Sequence, residues 1–111
     1  MKTEQPLLIT SVQCTNSSGI FKHRFVHFDG NYGREAYKSL GVCYADTSFN
    51  EMMPVMAKGI ALVVTGDAVN VGDPIESFDD GVAIPQTTGF LEGYAMDSAV
   101  GSDILIRVLL A

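Results

Sequence analysis

The sequence predicts an all-β domain, a small β-barrel or β-sandwich of short strands with an extended N-terminal arm. Three observations carry that expectation. From residue 59 onward the chain reads as apolar runs of about four to seven residues, the length of a strand, cut by Gly59, Gly66, Gly72, Gly81, Gly89, Gly93 and Gly101. The cuts include Gly66-Asp67, Gly72-Asp73-Pro74 and Asp79-Asp80-Gly81, residues with a mechanism for turning: glycine reaches positive φ, proline presets φ, and aspartate bonds its own backbone. No run approaches the length at which a helix becomes stable. At 111 residues the chain reads as one domain, able to bury about two-thirds of its unfolded surface. The expected division is an arm over residues 1–8 and a single β-domain over residues 9–111.

In chain order, residues 1–8 are taken as the arm because they start polar and lack a core pattern. A first strand is expected over residues 7–15, with Pro6 discouraging helix before it. Residues 21–29 alternate Phe21, His23, Phe25 and His27 with Lys22, Arg24, Val26 and Phe28, a strand with neither face purely apolar. Asp29-Gly30-Asn31-Tyr32-Gly33 is a loop signal, and residues 34–40 form a loop with helical character. Strands follow at residues 41–45 and 52–58, where Pro54 suggests an edge. Ile60-Ala61-Leu62-Val63-Val64 is apolar on both pleat faces, so it is expected to be central, covered on both sides and the most buried strand.

Shorter strands are expected at residues 69–71, 74–77, 82–85 and 89–96. The last strand sets Ile104, Ile106, Val108 and Leu110 on one face and Leu105, Arg107 and Leu109 on the other. A two-sided apolar strand in so small a domain implies a closed barrel under a covering loop or a subunit interface. Leu105, Arg107 and Leu109 are therefore the candidate interface residues.

Charge narrows the function classes. The net charge is −6 and hydrophobic residues make up 47%, which leaves apolar side chains for an oligomer contact. Residues 1–58 carry six Lys/Arg against five Asp/Glu, net +1, and residues 59–111 carry one Arg against eight acids, net −7. This acidic balance argues against nucleic acid, since phosphate binding needs a positive surface. It also suggests two faces, the less acidic half toward a partner and the acidic half toward solvent. Lys2, Glu4 and Pro6 do not make a signal sequence, and no apolar stretch reaches the length of a membrane span, so synthesis in a cytoplasm and no membrane partner are expected. Cys14 and Cys43 fit no CxxC or zinc-ribbon spacing and read as buried thiols.

Motifs for chemistry are missing. The chain has no Gly-x-Ser-x-Gly elbow, no Gly-x-x-x-x-Gly-Lys phosphate loop and no Gly-x-Gly-x-x-Gly turn. His23 and His27 would chelate a metal from a helix, but on a strand their Cα atoms lie about 13 Å apart, so packed or surface histidines are expected. Asp73, Asp79, Asp80, Asp97 and Asp103 sit beside glycine, proline or serine at strand ends and read as turn residues. Met52, Met53 and Met56 fill a core or an adaptable surface. Arg107 either pairs across strands or subunits or snorkels to water. No catalytic residue, cofactor or metal is expected, and the protein is read as not an enzyme.

One ordered set of motifs resembles a known family. Gln5-Pro6-Leu7-Leu8, Arg24-Phe25-Val26 leading to Phe28-Asp29-Gly30, Leu40-Gly41-Val42, Pro54-Val55 with Gly59-Ile60-Ala61-Leu62-Val63, Val71-Gly72-Asp73-Pro74, Gly93-Tyr94-Ala95-Met96-Asp97 and the ending over residues 103–110 resemble the capsid decoration, or cement, proteins of tailed bacteriophages. The resemblance spans nearly the whole chain. It implies a non-enzymatic β-domain that binds the outside of the assembled major capsid protein lattice and stabilises the head, located on the virion surface and made in the host bacterial cytoplasm. It implies a homo-oligomer, a trimer or a dimer, and capsid contact through the N-terminal segment, here Gln5, Pro6, Leu7 and Leu8. The segment 31–39 and the Met-rich strand depart from the family pattern.

Two other readings compete. A β-sandwich module binding host carbohydrate lacks the usual tryptophan platform. A small enzyme would have to rely on Asp79, Asp80 and Asp97.

Overall fold

The computed structural model describes residues 2–35 and 37–111. Among the described residues eight strands appear: β1 Gln5–Gln13, β2 Phe25–Val26, β3 Gly41–Cys43, β4 Met52–Val64, β5 Pro74–Ser77, β6 Ala83–Pro85, β7 Gly93–Ala95 and β8 Leu105–Leu110. A 3-10 turn, Asp79–Gly81, links β5 and β6. The sheet order is β2-β3-β4-β8-β7-β5-β6, with β1 added to β4. A parallel bridge from Thr65 to Ala83 brings β6 back to the end of β4, so the sheet curls into a nearly closed barrel. The all-β expectation holds, and of its two forms the barrel is the one adopted.

The strands expected at 52–58 and 60–64 are one strand. Gly59 does not break β4, because its φ of +120° lets the backbone bend while pairing continues, Pro6 opposite Gly59 and Lys58 opposite Leu8. A side chain at 59 would run its Cβ into the Gln5 carbonyl. The bend lets β4 serve two neighbours on one edge, β3 at Val55 and Met56 and β8 from Ile60 to Val64. Ile60 pairs with both Leu109 and Gln5, which sets β1 on the opposite edge.

Two cores result. Phe25, Val42, Met56, Ala61, Val63, Ile75, Ile106 and Val108 fill the barrel. Cys14, Ile20, Val26, Cys43, Met53 and Val55 form a second cluster. Val42 opposes Met56 and Cys43 opposes Val55, so the two sides of one short pleated ladder feed different cores, and β3 is buried throughout.

Two further expectations are corrected. The strand expected at 21–29 shrinks to Phe25–Val26, because His23 sits at φ +70°, a left-handed conformation that stops a ladder. Residues 60–64 are central but not covered on both sides: Ala61 and Val63 are buried, whereas Ile60, Leu62 and Val64 keep partial exposure. The two halves of unequal charge are joined in one sheet. β1 pairs with β4 and β4 with β8, and the Lys2 ammonium donates to the Leu105 carbonyl at 2.7 Å.

Candidate functional site

The surface that departs most from an ordinary monomer is β1. It pairs with β4 alone and has no second neighbour among the described residues. Its side chains are exposed on both faces, with Leu7 at 85%, Leu8 at 52% and Ile9 at 44%. No residue from Gln5 to Gln13 is charged. Monomeric proteins usually blunt such an edge with lysine, proline, a bulge or a short strand; here Pro6 and a register shift on either side of Leu8 are the interruptions in a nine-residue strand.

The structure places Gln5, Pro6, Leu7 and Leu8 in the first half of this strand. Pairing starts at Gln5 opposite Ile60, two residues before the expected start, and the boundary expected after residue 8 falls inside β1. Pro6 is accommodated because an edge strand has one side on which a missing N–H breaks no ladder bond. Met1 lies outside the described residues. Ahead of the strand, Lys2 bonds Leu105 and the Glu4 carboxylate lies 3.4 Å from His23 Nδ1.

The residues expected at a subunit interface lie on the outer face of β8. Leu109 is 49% exposed beside Tyr94, its 45% exposed partner on β7, and Leu105 is half-buried. Arg107 is paired within the chain. Its Nε donates to Asp97 Oδ2 at 3.0 Å, its Nη2 to Oδ1 at 2.9 Å, and its backbone N–H to Oδ2 at 2.9 Å. Asp97 is thus more than a turn residue: the Arg107 side chain, above all, holds its carboxyl down at about 2, and Arg107 is raised in turn.

A pH dependence follows. Asp97 has a depressed folded-state value, so its stabilisation is complete above the ordinary carboxyl value of 3.8 and is lost as pH falls through about 2. Acid titration by circular dichroism is expected to show wild type losing stability across that window, and Asp97→Asn less stable at neutral pH with a flatter acid limb. An identical acid limb in the variant would contradict the assignment.

The other sequence candidates separate in space. His23 faces Glu4 and His27 faces Asp29, and no group of three metal-ligating side chains occurs among the described residues. Asp67 and Asp73 accept from the Ala68 and Asn70 amides, as turn residues do. Cys14 and Cys43 are buried and unbridged. Burial pushes the Cys43 thiol up, despite its bond to the Ala45 carbonyl at 2.9 Å, so it is held as an unreactive thiol. Met53 and Met56 enter different cores and Met52 stays exposed.

Sequence reasoning missed two buried carboxylates. Glu92 accepts from Lys38 Nζ at 2.7 Å and from the Ser39 amide at 2.8 Å, which ties the departing segment 31–39 to the barrel. Glu76 accepts from the Thr87 amide and hydroxyl. Lys38 and Glu92 are 54 residues apart and Thr87 and Glu76 are 11 apart, separations that follow no motif spacing in the sequence.

Residues 5–110 match the phage cement protein family. The chain belongs to the phage cement protein family. The matched stretch begins at the first residue of β1 and ends at the last of β8, so every strand of this cement-family barrel lies within it. Among solved structures, the crystal structure of the head fiber gp8.5 N base in bacteriophage phi29 is similar, with a TM-score of 0.74 and 19% identity, covering 94% of this chain and 95% of that one. At that identity the likeness is one of fold. No curated protein matches this sequence.

Proposed function

We propose that this cement-family protein binds the outer surface of the assembled major capsid protein lattice and stabilises the head, with β1 as its docking element. The carrying observation is the uncharged edge strand with Leu7, Leu8 and Ile9 exposed. Such an edge favours a partner that supplies backbone hydrogen bonds and apolar contact, and Gln5, Pro6, Leu7 and Leu8 form its leading half. Family membership supports a phage capsid association.

Copies of the chain meet through the outer face of β8. Leu109 and Tyr94 supply exposed apolar area there and Leu105 flanks it, while Arg107 borders the contact with its charge already neutralised by Asp97. A trimer, or alternatively a dimer, then presents several β1 edges at once, and many modest contacts raise shell stability through multivalency. Binding the assembled lattice and not free subunits stabilises the shell by mass action. The role is structural and not enzymatic, and the protein is made in the host bacterial cytoplasm before joining the virion surface.

The test compares particles with and without the protein under osmotic shock and heating. Particles carrying it are expected to retain DNA to a higher temperature. Equal DNA retention would remove the stabilising role.

A further inference from the structure

Beyond the docking strand, a cleft of about 490 Å³ opens between the loops at 17–21 and 46–49. Its walls are fixed to each other. The Ile20 amide donates to the Thr47 carbonyl at 2.8 Å and the Thr47 amide returns a bond to Ile20 at 2.9 Å. The Phe21 amide donates to the Tyr32 hydroxyl at 3.2 Å, and the Lys22 amide to Asp46 Oδ1 at 2.8 Å. Two aromatic rings border the opening, Phe21 at 66% and Phe49 at 50% exposure. Ser17, Ser18 and Ser48 bring exposed hydroxyls, and no basic residue lines the cleft.

We propose that this cleft binds a neutral saccharide. Exposed ring faces offer apolar platforms for the C–H face of a sugar. Serine hydroxyls both donate and accept, and the Asp46 carboxylate, with one oxygen on the Lys22 amide, retains acceptor capacity for sugar hydroxyls. A lining with one acid and no base, on a chain of net charge −6, disfavours phosphorylated or carboxylated ligands. The volume falls within the range of small-molecule sites. The sequence hid this platform because its two rings come from loops far apart in the chain.

Position supports an outward-facing role. The Cys14 amide bonds the Glu51 carbonyl and the Asn50 amide bonds the Cys14 carbonyl, so the cleft lies beyond the Gln13 end of β1. About 20 Å of strand separates that end from Gln5–Leu8. With the leading half of β1 on a capsid, the cleft sits away from that contact, placed to hold a virion to a glycan-bearing surface. The orientation rests on the capsid reading above; the saccharide chemistry does not.

Saturation-transfer NMR of the full chain with millimolar maltose, cellobiose, lactose and diacetylchitobiose tests the proposal. At least one disaccharide is expected to respond, with amide shifts confined to residues 17–21 and 46–49. Phe21→Ala and Phe49→Ala are each expected to weaken binding roughly tenfold, the loss of one stacking contact, while Leu7→Ser binds as wild type does. Both rings are exposed, and the amide spectra of the variants verify that they fold. No response from any of the four sugars, or a response unchanged in both alanine variants, overturns the proposal. So does a Phe21→Ala variant that loses capsid occupancy while wild type ignores every sugar, which would make the cleft a protein contact. Saccharide binding by a protein that fails to bind capsids would defeat the capsid reading and leave this one standing.

Discussion

Replacing Leu7 and Leu8 together with serine is expected to strip the protein from capsids while leaving its fold intact. The side chains are 85% and 52% exposed in the isolated chain, so their loss opens no cavity. On a lattice each would bury much of that apolar surface, and burying a leucine is worth about 1.5–3 kcal/mol. A combined loss of about 3 kcal/mol weakens binding by roughly a hundredfold, and a multivalent attachment amplifies it. Co-sedimentation with capsids lacking the protein measures occupancy, and a thermal melt verifies the fold. Wild-type occupancy in the double variant would show that the capsid contact lies elsewhere.

Phe25→Ala is expected to have the largest effect on stability. Phe25 is fully buried in the barrel core and pairs with Val42 from one of the two residues of β2. Its carbonyl accepts from the Gly33 amide at 2.7 Å, so its position organises the start of the segment 31–39 as well. Truncating a buried phenylalanine costs about 3–5 kcal/mol, a large share of the total stability of a small domain. Denaturant unfolding measures it, with a lower midpoint at an unchanged slope as the expected result. A loss below about 1 kcal/mol would mean that neighbours refill the space and that Phe25 is not central to the core.

The strands legible in the sequence were those with an unambiguous period and turn chemistry at both ends. β8 shows its buried face in Ile106 and Val108, and β5 lies where Gly72-Asp73-Pro74 starts it. The elements misread were those in which a distant partner overrides a local signal. Gly59 looks like a terminator until the Gln5 carbonyl is seen packed against it. Residues 21–29 look like a strand until the left-handed His23 stops them. The edge strand β1 was half legible: Gln5, Pro6, Leu7 and Leu8 were singled out, but as an arm and not as part of a sheet edge.

By itself the sequence determined an all-β class, a family resemblance and the absence of familiar catalytic motifs, because these depend on local period, turn residues and motif order. Only the tertiary structure decided that the sheet curls into a nearly closed barrel, that β1 is left with a free apolar edge, that Arg107 is satisfied by Asp97, and that Phe21 and Phe49 border one cleft. Each depends on which strands and loops lie side by side in space, and strand alternation says which side chains share a face without saying which strand lies next to them.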